Sequence, residues 1–192
     1  MARADCRPEF PAALFAGGDK KRLKVSAQRL ETERVILLPW NSEDCSGFKP
    51  IATDPRVMRY ISDGVPWPDS RIIEFVERQR RHFSEFGFCL WKLAARGQSE
   101  ISGFCGIQPL DDLPGIEIGW WLAPQLWGKG LATEAARCVL ADGFGRCGLN
   151  RIVAIARREN RASTRIMEKL GMLYEKDVRH HGIDVVLYAI EK

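Results

Sequence analysis

The sequence predicts a mixed α/β (α+β) fold: one domain on a mostly antiparallel sheet, with a central parallel strand pair flanked by helices. Three observations carry this. Three consecutive strand-like runs, Phe88 to Ala94, Ile101 to Gln108 and Ile116 to Leu122, are joined by turns at Gly97-Gln98 and Pro114-Gly115, the pattern of an antiparallel meander. The third run is followed by a helical run, Ala132 to Phe144, and another strand, Arg151 to Ala156. Strand, helix, strand is a crossover unit, which makes its two strands parallel neighbours. Finally, 192 residues, 45% hydrophobic and 28% charged, suit one globular core and leave little room for a second domain.

The other elements follow in chain order. Arg34 to Pro39 reads as an opening strand, Ser42 to Ile51 and Asp54 to Tyr60 as short helices, and Gly64-Val65-Pro66-Trp67-Pro68 as a breaker. From Asp69 to Phe86, Ile72, Ile73, Val76, Phe83 and Phe86 recur at helical spacing with Arg78, Arg80 and Arg81 on the wet side. This predicts an amphipathic helix capped by Asp69 or Ser70. After the crossover come a helix, Ala162 to Leu170, and a closing strand pair, Leu173 to Val178 and Ile183 to Ala189, with His180-His181 in the turn.

Residues 1–29 read as a flexible basic extension and 30–192 as the folded domain. Seven of the 29 Lys and Arg lie in residues 1–30 against three acids, so the whole net charge of +4 falls there. Such a cluster can touch nucleic acid, but a solvated extension, or a start codon placed too far upstream, is the simpler account, and nucleic acid is not the expected partner. Phe10 to Ala16 is too short for a convincing signal peptide, and no run reaches the roughly 18 apolar residues of a membrane span. The expectation is a cytoplasmic protein without membrane contact. Six scattered cysteines form no C-x-x-C and have no histidine at metal-ligand spacing, so they are expected to be reduced apolar packing, with no metal.

The most informative stretch is Gln125-Leu126-Trp127-Gly128-Lys129-Gly130-Leu131-Ala132, between strand and helix. Gly128 and Gly130 lack a Cβ, so the backbone can turn tightly and bring its N–H groups close to a ligand oxygen. The helix that follows adds unpaired N–H donors and the positive end of its dipole, which suits a phosphate. A Walker A loop ending at Gly128-Lys129 needs Gly where Ala123 stands, and a dinucleotide fingerprint starting at Gly128 needs Gly where Thr133 stands, so neither applies.

The remaining pattern, Gln-x-x-Gly-x-Gly, resembles the acetyl-CoA pyrophosphate loop of the GNAT superfamily of N-acetyltransferases. Blocks in the family's order support it: Ile116-Glu117-Ile118-Gly119-Trp120-Trp121-Leu122 before the loop, then Asn160-Arg161-Ala162-Ser163 and Glu168-Lys169-Leu170-Gly171-Met172 after it. Leu30-Glu31-Thr32-Glu33-Arg34-Val35 looks like the opening strand of the Rim-type branch, which is similar to ribosomal-protein alanine N-acetyltransferases. The resemblance implies a GNAT-like sheet whose parallel strands splay apart around the pantetheine arm. It also implies acetyl-CoA as cosubstrate, held by Trp121, Leu122, Ala123, Gln125, Trp127, Gly128, Lys129, Gly130, Leu131, Ala132, Asn160 and Ser163.

Acetyl transfer from a thioester to an amine needs a deprotonated amine, stabilisation of the oxyanion, and a proton for the departing thiolate. Glu117 is the expected base, acting directly or through water, because strand alternation turns it away from Ile116 and Ile118 and a lone buried carboxylate is costly. A salt-bridged edge carboxylate is the alternative. Many family members carry a tyrosine on the last helix as acid, but here Met167 stands there, and a thioether donates no proton. The resemblance to Rim-type relatives passes that role to Ser163, with Tyr174 and Tyr188 as alternatives. A backbone N–H near Trp121 to Ala123 would meet the oxyanion. Trp120, Trp121 and Trp127 are expected to cluster around the loop. Trp67, Glu117 and His180 are the expected acceptor-side residues, and Trp67 between two prolines reads as a rigid apolar platform suited to a small apolar amine or a peptide backbone. The acceptor itself, a protein N-terminus or a small amine, is not set by the sequence, and neither is the oligomeric state, a dimer being compatible. The rival readings are a non-catalytic acyl-CoA-binding module and a nucleic-acid-associated adaptor using the basic extension.

Overall fold

An eight-stranded sheet carries the domain. In chain order its strands are β1 (Leu30–Glu31), β2 (Val35–Leu38), β3 (Leu90–Ala95), β4 (Gly103–Pro109), β5 (Ile116–Leu122), β6 (Arg151–Ala156), β7 (Leu173–His180) and β8 (Ile183–Glu191), in spatial order β1-β2-β3-β4-β5-β6-β8-β7. The helices are α1 (Asp44–Ala52), α2 (Pro55–Met58), α3 (Asp69–Phe86), α4 (Leu131–Gly145) and α5 (Arg161–Lys169). The computed structural model describes residues 29–192, so the predicted basic extension, with Cys6, lies outside the described residues apart from Arg29.

Every neighbouring pair is antiparallel except β5 and β6, which α4 joins. Pairing between β5 and β6 is registered at Glu117↔Val153, while β5 continues to Leu122 and β6 to Ala156. The carboxyl ends of the two strands therefore part. Backbone groups that face the gap there, on the sides away from β4 and β8, are not committed to a ladder and can meet a ligand.

The predicted elements appear with small shifts that have physical causes. Helix α3 spans its predicted residues, but Pro68 sits at the cap position with extended backbone and no side-chain cap bond, because the fixed proline φ already sets the chain direction. Asp69 is the first helical residue instead and binds Lys49 Nζ at 2.9 Å. Within α3, Ile72, Phe75, Val76 and Gln79 are buried, whereas Ile73, expected on the apolar side, is 52% exposed. The closing hairpin is longer than predicted. His181 (φ +46) and Gly182 (φ +78) both take left-handed backbone, which closes a two-residue turn and lets pairing run up to His180↔Ile183.

The core is aromatic near the site. Trp40, Phe48, Phe75 and Phe104 pack ring on ring, and Trp67 and Trp121 extend the cluster with centroids 4.8 Å apart. Cys89 and Cys105, expected as packing groups, are fully buried, and burial pushes both thiols far up. The five described cysteines are free.

Candidate active site

The glycine loop occupies the gap between β5 and α4. After Leu122 a short 3-10 turn, Pro124–Leu126, redirects the chain, and Trp127 Nε1 donates to the Leu122 carbonyl at 2.7 Å. Gly128 (φ +73) and Gly130 (φ +78) are both left-handed, and Gly130 caps α4 without a side-chain bond, so the first amides of α4 face outward. Arg34, in the bend just before β2, braces the loop: Nη1 donates to the Lys129 carbonyl at 2.9 Å and Nε to Glu134 in the first turn of α4 at 2.6 Å. Arg34 thus carries a positioning role that sequence reading missed, since Arg34 and Lys129 meet only after folding.

Two cavities open here. One, of about 530 Å³, runs over the loop and is lined by Trp121, Leu122, Trp127, Gly128, Gly130, Leu131, Ala132, Asn160 and Ser163 among the expected coenzyme-binding residues. Ala123, Gln125 and Lys129 do not line it. The basic side chains at its wall, Arg56, Arg59, Arg165 and Lys169, suit the phosphates of a nucleotide. The other cavity, of about 290 Å³, holds all three expected acceptor-side residues, Trp67, Glu117 and His180. Tyr60, Ile61, Trp120, Trp121, Asn160 and Ser163 line both, so the two cavities meet where β5 and β6 part.

Glu117 sits half-buried at the wall of the smaller cavity, at the end of a hydrogen-bond chain. The Leu90 amide donates to Gln79 Oε1 at 2.9 Å, Gln79 Nε2 to Gln108 Oε1 at 3.0 Å, and Gln108 Nε2 to Glu117 Oε1 at 2.6 Å. Gln108 is the cross-strand partner of Glu117, and Gln79 is fully buried on α3. A glutamine on the apolar stripe of α3 was the available signal for this relay. Burial raises the Glu117 carboxyl, outweighing the Gln108 bond, to a pKa of about 7. Half of it is then deprotonated near neutrality, which suits a base that must also give its proton up.

Asn160 caps α5, its Oδ1 accepting from the Ser163 amide at 3.3 Å. Met167 is buried in the core, 1% exposed. Tyr174 and Tyr188 meet edge to face and line neither cavity, so neither is placed to act as acid. Tyr60, which sequence reading passed over, lines both. Among the described residues no ring contact joins Trp120, Trp121 and Trp127, and Trp127 is 48% exposed. Instead Trp121 packs against Phe48, Trp67 and Phe104. His180 Nδ1 bonds to Asp112, whose second oxygen accepts from the His181 amide at 2.7 Å. This brings ligand-type atoms of Asp112, His180 and His181 within 4.8 Å of one another, a grouping invisible in the sequence.

A phosphate-type loop at the parting ends of a parallel pair, leading to a cavity with a carboxylate, is the architecture of a coenzyme A-dependent acyltransferase. Residues 34–173 match the acetyltransferase (GNAT) domain, and the chain belongs to that family as an acetyl-CoA-dependent N-acetyltransferase. It is 30% identical over 174 residues to the uncharacterized N-acetyltransferase p20 of Bacillus licheniformis, covering 86% of this chain and 97% of that one. An acetyltransferase (GNAT family) structure from Bacillus anthracis matches with a TM-score of 0.72 and 28% identity, covering 85% of this chain and 98% of its own. RimL, a ribosomal L7/L12 alpha-N-protein acetyltransferase solved with coenzyme A, has a TM-score of 0.72 at 14% identity over 85% and 98% of the two chains, a likeness of fold. No helix of the described residues is long and apolar enough to cross a membrane.

Proposed function

We propose that the protein acetylates a primary amine, a protein N-terminus or a small molecule, by direct attack of the amine on acetyl-CoA in a ternary complex. The observation that carries this is Glu117, set in its own cavity by the Gln79–Gln108 relay and open to the junction with the coenzyme groove. An alkyl ammonium titrates around 10, so at neutral pH it must lose a proton before it can attack. Glu117 takes that proton, directly or through water, and the amine nitrogen then forms its bond to the acetyl carbon as the carbon–sulfur bond breaks. Gly128, Gly130 and the first amides of α4 hold the pyrophosphate. Asn160 and Ser163 lie along the path to the sulfur, and the Leu122 N–H, turned away from β4 by strand alternation, faces the developing oxyanion, the Ala123 amide being bound to the Ser102 carbonyl at 2.9 Å. Ser163 passes its proton to the thiolate and is reprotonated by the second proton that the nitrogen sheds as the amide forms. The opening strand supports placement in the Rim-type branch.

The proton on Glu117 sets a pH dependence. Because the base form is needed, kcat/KM rises with pH through an acid limb near 7, and Glu117→Gln removes that limb. The same shift acts on stability with the opposite sense. Folding favours the protonated carboxyl, so the contribution of Glu117 to stability falls as pH rises from the ordinary 4.5 to about 7.

Ser163→Ala lowers kcat several-fold, about tenfold at most because a thiolate leaves readily, with little change in acetyl-CoA affinity. Tyr60→Phe is the matching control. If only the tyrosine variant slows the reaction, the proton comes from Tyr60. The activity itself is tested by thiol release from acetyl-CoA against N-terminal peptides, amino acids and small amines, with calorimetric acetyl-CoA binding alongside. Tight binding with no release from any acceptor points to a non-catalytic binding module.

A further inference from the structure

Arg71, in the first turn of α3, and Arg157, just past the end of β6, converge on one residue. Arg71 Nη2 donates to the Ser62 hydroxyl at 3.0 Å, and Arg157 Nη2 donates to the Ser62 carbonyl at 2.5 Å. Ser62 has φ +48, a left-handed conformation that is strained for a residue with a Cβ and that persists where surrounding structure imposes it. Two like charges are thus gathered from distant elements. Among the described residues neither guanidinium pairs with a carboxylate.

The acids that line the same cavity, Asp111 and Glu117, are directed to other partners. Asp111 lies 3.9 Å from Arg78, and Glu117 accepts from Gln108. The donors around the arginine pair are not satisfied. Arg157 Nε is buried without a partner, and so is Nε1 of Trp67, a side chain only 7% exposed that lies under the Arg71 guanidinium at 4.7 Å. Like charges gathered at one residue carry a repulsive cost that an anion bound between them lowers. Arg71, Arg157 and Trp67 line the cavity of Glu117 and are absent from the groove over Gly128 and Gly130, which separates them from the donor's phosphates.

We propose that the acceptor is a small amine that also carries a carboxylate, bound by Arg71 and Arg157 in the Glu117 cavity. The inference rests on the acetyl-transfer reading of that cavity. It replaces the apolar acceptor expected from Trp67: the indole supports a cation pair rather than forming an apolar floor. A guanidinium presents parallel donors matched to the two oxygens of a carboxylate, and Glu117 serves the amine end of the same molecule. A cavity of about 290 Å³ lies at the small end of ligand sites, in keeping with an amino-acid-sized acceptor.

The test uses matched pairs, each amino acid against its carboxamide and its decarboxylated amine, with thiol release from acetyl-CoA as the readout. The free carboxylate should be preferred by about ten- to a hundredfold in kcat/KM, the usual worth of a charge-assisted hydrogen bond. Arg157→Gln and Arg71→Gln should each shrink that ratio toward unity. Equal rates within every pair, a preference for the neutral members, or a preference that survives both substitutions overturns the proposal. A second measurement needs neither turnover nor a variant: calorimetric binding of N-acetyl amino acids and of their amides to the wild-type protein with coenzyme A present. Tighter binding of the acids by about tenfold or more supports the anion site even if no amine is acetylated, an outcome that would count against acetyl transfer alone. Equal or absent binding of both overturns it.

Discussion

Glu117→Ala is expected to lower turnover about a hundredfold or more while leaving acetyl-CoA affinity nearly intact. Glu117 lines the smaller cavity and not the groove over the glycine loop, so removing its carboxylate leaves the coenzyme contacts in place. What is lost is the acceptor's proton sink. The alanine also strips Gln108 Nε2 of its partner at 2.6 Å, which costs about 1–3 kcal/mol of stability if the amide stays buried. Glu117→Gln is therefore the companion variant, since it keeps a hydrogen-bond acceptor and cannot take a proton. Steady-state kinetics with calorimetric acetyl-CoA binding decide between the readings. A comparable loss in both variants assigns the base, whereas an unchanged rate in Glu117→Gln returns Glu117 to a structural carboxylate.

Gly128→Val is expected to abolish measurable acetyl-CoA binding. At φ +73 a β-branched residue is in a backbone region it rarely enters, so the loop must shift or carry strain of about 1–3 kcal/mol. The Cβ position at Gly128 meets no atom within 4 Å, and Gly128 lines the larger cavity. A valine side chain there would stand in the groove itself, blocking the approach of a phosphate to the loop amides. Gly128→Ala separates the two causes, because it keeps most of the strain with less bulk. Calorimetry with thermal unfolding gives the answer: a folded valine variant that binds acetyl-CoA normally would place the pyrophosphate elsewhere.

The contrast between the glycine loop and the acceptor cavity shows which information is local. Loop, strand and helix are contiguous between Ile116 and Gly145, so turn chemistry and hydrophobic period reveal them without knowledge of the fold. Glu117 was readable for the same reason, as one charged residue on an apolar strand. The departures, a proline-led α3, an exposed Ile73 and a longer closing hairpin, arise where caps, faces and turns depend on neighbours.

By itself, then, the sequence determined the order of elements, the parallel crossover, the phosphate-type loop and the carboxylate beside it, because each is written in the spacing of nearby residues. Only the tertiary structure decided what surrounds that carboxylate. The Gln79–Gln108–Glu117 relay, the Arg34 brace on Lys129, the meeting of Arg71 and Arg157 at Ser62, and the bond of Asp112 to His180 all join residues from separate elements. Hydrogen bonds and charge interactions act over a few ångströms in space, whatever the separation along the chain. Their partners therefore become visible only when the sheet and helices have brought them together.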